Sequence, residues 1–174
     1  MDNHDMSRFA NVIGSDIQKY KMAMAFLLTM RGFPQIYYGT EILMTGDKGK
    51  GDGDIRKDFP GGWPGDSRTA FNAQGRTQIE NEAFDYTSKL LNWRKQNPVI
   101  HSGKLVHFNP QNNCYVYFRY NTNKTVMVIL NNHPSETRMI DTQRYAEVMK
   151  GFISGYDVVS GKTLNNLSTI DTFA

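Results

Sequence analysis

The first hundred residues alternate between apolar runs and polar, glycine-rich stretches in a way that predicts two helices and one strand. Residues 22–28 are apolar almost without interruption, which predicts a helix over 17–31 that is buried on most of its sides. Ser15 and Gln18 precede it at capping-box spacing, so Ser15 is the predicted N-cap. The next apolar run predicts a short strand over 33–38, and helix and strand alternate as in α/β folds.

A second helix is predicted from residue 77 or 81 to 96, because apolar side chains recur on one helical face. These side chains are Ala83, Tyr86, Leu90 and Trp93. Pro98 favours termination of this helix at residue 97. The intervening segment, 39–76, is rich in glycine, and a stretch of this length without predicted elements is usually a functional or mobile loop.

Beyond residue 99 the pattern changes to short runs rich in Val, Ile, Tyr and Phe, which are typical of strands. The predicted strands cover 104–108, 114–120, 125–130, 136–140 and 156–159. Short strands with frequent turns predict an antiparallel β-sandwich. The change in pattern predicts two domains, 1–98 and 99–174.

Composition narrows the class of protein. The chain has 174 residues, of which 39% are hydrophobic and 21% charged, and these values indicate a globular protein with enough apolar side chains for a core. The net charge of +3 comes from scattered Lys and Arg, which argues against a nucleic-acid partner. No apolar run reaches the length of a membrane span, and the compartment stays open between bacterial periplasm and cytoplasm. The lone Cys114 is expected to be a small buried side chain in a strand.

The sequence predicts no cofactor or metal site. Gly46 and Gly51 have phosphate-loop spacing, but Asp52 stands where that motif requires Lys. Asp47, Asp52 and Asp54 offer carboxylates of the kind that calcium binds, although without the EF-hand pattern. A flexible acidic loop is the preferred interpretation. The histidines, at positions 4, 101, 107 and 133, do not have the spacing of a zinc site.

Two short segments carry candidate chemistry. One is Asn3-His4-Asp5, which combines an amide, an imidazole and a carboxylate, groups that can together hold the hydroxyls of a sugar. It can equally be a solvated chain end or a helix cap. Its place at the start of the chain leads us to expect a piece of a larger enzyme. The other segment is 32–41, Gly-Phe-Pro-Gln-Ile-Tyr-Tyr-Gly-Thr-Glu, where polar groups follow a strand as at the active-site face of a barrel.

At this spacing, the two segments resemble the α-amylase family, glycoside hydrolase family 13. In that family Asp-Asn-His-Asp ends barrel strand seven, a helix follows, and Gly-x-Pro-x-x-Tyr-Tyr-Gly-x-Glu forms strand eight. The insert at 59–66, Phe-Pro-Gly-Gly-Trp-Pro-Gly-Asp, looks like the strand-eight loop of neopullulanase- and cyclomaltodextrinase-like members. The resemblance implies the C-terminal portion of a (β/α)8 TIM barrel followed by an antiparallel β-sandwich domain.

The resemblance also implies a chemistry. The family hydrolyses α-1,4-glucosidic bonds with retention, using an Asp nucleophile and a Glu acid/base that would both precede residue 1, so the isolated chain is expected to be inactive. Asp5 would be the third carboxylate, the transition-state stabiliser, with His4 beside it. The implied substrate-binding residues are Asn3 and Arg8, as supporters of Asp5, and Arg56, Phe59 and Trp63, which would line outer subsites. Packing or loop anchoring is an equal alternative for Trp63.

The implied substrates are α-glucan oligosaccharides such as starch, maltodextrin, cyclodextrin or pullulan. The main alternative is a non-catalytic module that binds carbohydrate or serves as a scaffold. The strand at 33–38 would have unpaired edges in the isolated chain, which predicts self-association through an exposed barrel edge. Residues 170–174 are expected to provide at most the start of a closing strand.

Overall fold

A computed structural model describes residues 1–172, which divide into two compact units. The first unit contains residues 1–28 and 33–91, and the second contains residues 29–32 and the chain from residue 92 onward. Within the described part of the chain, no helix is both long enough and apolar enough to cross a membrane.

The two longest helices are those that the apolar pattern predicts, and the longer of them matches its predicted range closely. The helices are α1 (Phe9–Val12), α2 (Ile17–Thr29), α3 (Asp52–Ile55), α4 (Gln78–Lys95), α5 (Pro98–Ser102) and α6 (Ala146–Met149). Short 3-10 turns occur at Thr40–Ile42, Lys48–Lys50, Ala73–Gly75 and Thr142–Tyr145. The short helix α5 is an addition to the predicted elements, because Pro98 begins a new helix as well as following the old one.

The cap of α2 differs from the prediction. Asp16 is the N-cap, since its Oδ1 accepts hydrogen bonds from the backbone N–H groups of Gln18 and Lys19 at 2.9 and 3.1 Å. Ser15 has a left-handed φ of 56° and precedes the cap. The predicted capping box at Ser15 is therefore wrong, because the carboxylate one residue later takes the free N–H groups.

The most deeply buried side chains of α2 include a stripe along the helix. Tyr20, Met24 and Leu28 follow one another at four-residue spacing and are fully buried. The Tyr20 hydroxyl is hydrogen-bonded to Thr87 Oγ1 of α4 at 2.7 Å. Phe26, in contrast, is 41% exposed. Within α2 only Gln18, Lys19 and Phe26 are exposed, and the remaining residues are buried or half-buried. The prediction that α2 is buried on most of its sides is therefore confirmed.

The segment 33–38 has no regular secondary structure. Strand assignment requires hydrogen bonds to a neighbouring strand, and none of the described residues pairs with this segment. The predicted strand is therefore not formed within residues 1–172. The loop that follows, 39–76, contains α3 and three of the 3-10 turns, so it has more local structure than its glycine content indicates.

The second unit is built from antiparallel sheets. Its strands are β1 (Lys104–His107), β2 (Cys114–Tyr120), β3 (Thr125–Asn131), β4 (Met139–Asp141), β5 (Gly155–Tyr156), β6 (Thr163–Leu164) and β7 (Thr169–Asp171). β1, β2 and β3 form one sheet in that order, β4 pairs with β7, and β5 pairs with β6. The first three strands confirm their predictions, whereas those predicted at 136–140 and 156–159 are shorter and displaced.

A small apolar core lies within this unit. It contains Cys114, Val116, Phe118, Ile140 and Tyr145. The free thiol of Cys114 is buried, and this burial raises its pKa; both facts agree with the prediction of a small apolar side chain. Ile170 of β7 pairs with Ile140 of β4, so the first residues of the stretch 170–174 belong to a short strand. The rest of the stretch predicted to start a closing strand, 173–174, lies outside the described residues.

Candidate functional site

The Asn3-His4-Asp5 triplet forms a tight turn. Asn3 Oδ1 accepts a hydrogen bond from the Asp5 backbone N–H at 2.8 Å, a local bond typical of Asx turns. The side chains of His4 and Asp5 are 65% and 62% exposed, and His4 Nε2 lies 3.1 Å from Asp5 Oδ2. The turn therefore presents an imidazole and a carboxylate together to solvent.

A buried carboxylate holds one end of this turn. Asp2 Oδ2 accepts a hydrogen bond from the backbone N–H of Phe9 at 2.9 Å, and Thr40 Oγ1 donates to the two oxygens of Asp2 at 2.9 and 3.0 Å. Asp2 was not among the candidate residues. Its partners lie 7 and 38 residues away, so no local spacing could have identified its role.

A buried arginine holds the other end. Arg8 is 1% exposed, and its Nε donates to the carbonyl of Ile55 at 2.8 Å while Nη1 donates to the carbonyl of Tyr38. Its guanidinium carbon lies 4.0 Å from the centre of the Tyr37 ring and 4.6 Å from that of Tyr38. Because protein encloses this side chain, Arg8 is placed to support the turn and not to contact a sugar directly.

Arg56 lies directly beside the turn. Its Nε donates to the His4 carbonyl at 2.9 Å, and its Nη2 lies 3.1 Å from Asp5 Oδ1 and 2.9 Å from Asp52 Oδ2. Arg56 was expected at an outer part of the substrate site. The structure instead brings it together with His4 and Asp5, the two residues to which the resemblance gives a catalytic role.

The aromatic insert at 59–66 is an ordered loop. Asp66 Oδ2 accepts hydrogen bonds from the backbone N–H groups of Gly61 and Trp63 at 2.7 and 3.2 Å. The Phe59 ring is half-buried and lies 4.7 Å, centre to centre, from the ring of Phe71. The Trp63 residue is 64% exposed, which disfavours the packing alternative for its indole. None of the described contacts joins Phe59 or Trp63 to Asp5.

The acidic residues of the loop are occupied by donors from the protein itself. Asp47 Oδ1 accepts from the Gly49 N–H at 2.8 Å, and Asp54 Oδ2 accepts from the Asp47 N–H at 2.7 Å. Asp52 is paired with Lys48 as well as with Arg56. Residues 1–172 contain no cluster of three or more His, Cys, Asp or Glu side chains arranged to hold a metal ion.

Glu41 ends the second candidate segment and is half-buried in the first unit. Burial is the largest influence on this carboxyl group and raises its pKa above the usual 4.5. Arg8 acts in the opposite direction and Asp2 in the same direction as burial. Two charged residues that hold the turn, Arg8 and Asp2, thus also act on the Glu41 carboxyl group.

Two family models together match nearly the whole chain. The α-amylase catalytic domain matches residues 1–103, and the cyclo-malto-dextrinase C-terminal domain matches residues 105–171. A barrel-type glycosidase domain followed by a β-domain is thus the class that both sequence and fold define. The chain belongs to the α-amylase family, as the resemblance implies.

Individual relatives agree with this assignment. The chain is 34% identical to a cyclomaltodextrin glucanotransferase from Niallia circulans. The match covers 97% of this chain and 22% of that protein. The crystal structure of an α-amylase from H. orenii is 30% identical and has a TM-score of 0.65, covering 80% of this chain and 30% of that one. An α-amylase from Geobacillus thermoleovorans, complexed with acarbose, has a TM-score of 0.71 at 23% identity, covering 99% of this chain and 35% of that one. The chain spans about a fifth of the length of the curated relatives it matches.

Proposed function

We propose that this chain supplies the transition-state-stabilising carboxylate, Asp5, to a retaining enzyme that acts on α-1,4-glucans. The observation that supports this most strongly is the geometry of the turn. The buried side chains of Asp2 and Arg8 hold its two ends, while Asp5 between them stays open to a ligand. A fixed carboxylate in an accessible position is what binding of sugar hydroxyls requires.

The proposed role of Asp5 is to strengthen its hydrogen bonds to the sugar as the transition state forms. Ring distortion and charge development at the anomeric carbon change the geometry of the neighbouring hydroxyls, and bonds that tighten there can contribute several kcal/mol. Such bonds accelerate the reaction only together with a nucleophile and an acid. We infer that these two groups come from outside residues 1–174, and that the isolated chain does not turn over glucan.

The neighbouring residues have supporting roles in this proposal. His4 adds a hydrogen-bonding imidazole beside Asp5, and Asn3 shapes the turn through its bond to the Asp5 N–H. Arg8 supports the turn from the protein interior. Phe59 and Trp63 are proposed to contact sugar units further from the bond that is cleaved or transferred, since aromatic rings offer flat apolar faces to sugars.

The experiment that tests this function replaces Asp5 by Asn in the complete protein to which the chain belongs. We expect the kcat for α-glucan turnover to fall by about a hundredfold or more, because several kcal/mol of transition-state binding are lost. Asp58→Asn is the matched control, since Asp58 is an exposed carboxylate on the 39–76 loop, outside the turn. Turnover that survives Asp5→Asn would refute the proposed role, and turnover by the 174-residue chain alone would refute the claim that further groups are needed.

One observation favours a second function, a non-catalytic module that binds carbohydrate. Trp63 and Phe71 are large, exposed aromatic residues on a loop that is internally hydrogen-bonded. Under this proposal the isolated chain binds maltoheptaose, and Trp63→Ala abolishes binding while Trp93→Ala, which alters a half-buried indole of α4, leaves it intact. Absence of binding at millimolar sugar would favour a scaffold.

We also propose a domain boundary near residue 99, with 1–98 as the end of the barrel and 99–174 as the β-domain. The meeting of the two family matches between residues 103 and 105 supports a boundary in this region. Limited proteolysis that releases a stable fragment beginning close to residue 99 would agree with it, whereas cleavage confined to the interior of either part would not.

A further inference from the structure

We propose that Arg56 is a positioning residue for Asp5, acting from a loop formed by residues 46–56 that is hydrogen-bonded to the turn. The inference rests on the proposed function, because it assigns a partner to the carboxylate that is proposed to bind the sugar. It also gives Arg56 a role different from the outer-subsite contact that the resemblance implies.

The contacts of Arg56 fix both the backbone and the side chain of the turn. One donor, Nε, bonds to the His4 carbonyl at 2.9 Å, and another, Nη2, bonds to Asp5 Oδ1 at 3.1 Å. The guanidinium group is planar and rigid. Because its donors bond to two sites on the turn, they restrict the rotation of the turn as well as its position. Asp52 Oδ2 lies 2.9 Å from the same Nη2 and is a further partner that holds the guanidinium.

The loop that carries Arg56 is itself attached to the turn. The Arg8 N–H donates to the Gly46 carbonyl and Arg8 Nε donates to the Ile55 carbonyl, both at 2.8 Å. The Lys48 N–H donates to Ser7 Oγ at 2.9 Å. A Cβ atom at Gly46 would lie only 2.5 Å from the Asp54 carbonyl oxygen. The backbone at residues 46 and 54 therefore approaches so closely that only glycine fits at position 46. The placement of Arg56 therefore follows from a network that joins both segments.

Stability is a poor explanation for the arrangement. Arg56 and Asp5 are 42% and 62% exposed, and ion pairs between exposed side chains contribute little to folding. A small displacement of a group that binds the reacting sugar, in contrast, can reduce the rate by about a hundredfold. The benefit of the Arg56–Asp5 contact should therefore be seen in turnover and much less in the melting temperature.

The test compares Arg56→Gln, Arg56→Lys and Lys57→Gln in the complete protein. Arg56→Gln should lower kcat by about ten- to a hundredfold and change KM by less than about threefold. Arg56→Lys should recover only part of the loss, because an ammonium group lacks the planar fork. Lys57→Gln should leave both constants unchanged, since Lys57 pairs with Asp54 at 2.7 Å and does not contact the turn. A rise in KM with unchanged kcat would overturn the inference and make Arg56 a sugar ligand.

A double substitution separates this inference from the proposed function. If Arg56 acts through Asp5, Arg56→Gln should have no further effect on kcat in a protein that already carries Asp5→Asn. Multiplicative effects of the two changes would overturn the positioning role while leaving the role of Asp5 intact. Full turnover with Asp5→Asn alone would instead refute the proposed function. If the Arg56→Gln protein does not fold, Arg56→Lys serves as the test. A lower kcat at an unchanged melting temperature would support the inference, and an unchanged kcat would overturn it.

Discussion

Arg8, Arg56 and Arg119 use the same guanidinium group in different ways, and the difference follows from burial. Arg56 is partly exposed and pairs with carboxylates, whereas Arg8 and Arg119 are 1% exposed and donate to backbone carbonyls. Arg119 Nη1 donates to the Thr29 carbonyl at 3.1 Å and Nη2 to the Gly103 carbonyl at 2.8 Å. Burial, reinforced by nearby Arg94, lowers the pKa of Arg119. Its role in the second unit is therefore to satisfy carbonyls where α2 and α5 end.

Replacement of Arg119 by Leu tests this role at the scale of one residue. We expect the free energy of unfolding to fall by about 2–4 kcal/mol, because both hydrogen bonds from the Arg119 guanidinium are lost, and losing a hydrogen bond from a charged donor costs about 1–3 kcal/mol. Urea unfolding of the 174-residue chain measures the change. Arg144→Leu is the control, since Arg144 also donates to a backbone carbonyl, that of Asn109, but at an exposed site. It should cost less than about 1 kcal/mol. Equal losses for the two variants would contradict the role of Arg119.

The candidate site was only partly accessible to sequence reasoning at this scale. Asn3, His4 and Asp5 are adjacent, so one short motif identifies them. The roles of Asp2, Arg8 and Arg56 depend on partners that are distant in the chain, such as Asp2 with Thr40 or Arg56 with His4. Charge and spacing could not reveal that Arg8 is buried while Arg56 stays open. Those facts are determined by folding of the 39–76 loop.

At the scale of an element, the start of α4 combines a capping box with a loop anchor. The Thr77 N–H donates to Glu80 Oε2 at 2.7 Å and the Glu80 N–H donates to Thr77 Oγ1 at 3.3 Å, the reciprocal pattern of a capping box. Arg68 adds two bonds to the same carboxylate, at 2.7 and 2.9 Å. Glu80 therefore stabilises the first turn of α4 and the end of the aromatic loop together.

Thr77→Ala should reduce the free energy of unfolding by about 0.5–2 kcal/mol, because an N–H group of α4 loses its acceptor. Ser15→Ala is the matched control, since Ser15 had the same capping-box spacing in the sequence but lies outside the cap of α2. It should change stability by less than about 0.5 kcal/mol. Chemical denaturation of both variants measures the difference, and a larger loss for Ser15→Ala would contradict the assignment of the caps.

The ionisation of Glu80 should make the stability of the protein depend on pH. Burial alone would raise the pKa of Glu80, but hydrogen bonds from Arg68 and Thr77 outweigh it and hold the pKa below the usual 4.5. A depressed folded pKa stabilises the protein fully at pH values above the unfolded pKa, and this contribution is lost as the pH falls through the folded value. The stability difference between the wild type and Glu80→Gln should therefore be largest near neutral pH and shrink below about pH 4.5. Urea unfolding across this range measures it, and a difference independent of pH would contradict the prediction.

Some helices and strands of this protein can be predicted from local sequence, and others cannot. α4 and the strands β1 to β3 have local patterns that agree with their surroundings, and their predictions hold to within about two residues. Ser15 and Thr77 both begin capping-box patterns, yet only one is used, because Asp16 competes at the first site. The segment 33–38 has a strand-like composition, but strand formation also requires a paired neighbour. A local sequence pattern does not show which of two neighbouring residues will cap a helix, nor whether a neighbouring strand is present.

At the scale of the whole molecule, several large apolar side chains face solvent. The most exposed among the described residues are Phe33, Ile153, Met139, Val12, Phe71, Tyr156 and Trp63. Phe33 is fully exposed and begins the segment 33–38, whose backbone groups are not paired in a sheet. Exposed apolar side chains next to unpaired backbone favour association with another chain. We therefore propose that the isolated chain self-associates through this segment.

Phe33→Ser tests this proposal. The substitution removes the largest exposed apolar side chain of the segment, so the proportion of dimers and larger species in sedimentation velocity should fall at every protein concentration. Gln35→Ser is the control, because Gln35 is an exposed polar residue on the same segment and its loss should leave the distribution unchanged. Since Phe33 makes no buried contacts, the melting temperature of the monomer should be unaffected, which separates association from unfolding. A monomeric wild type at high concentration would refute self-association, and equal effects of the two substitutions would show that the apolar side chain is not its cause.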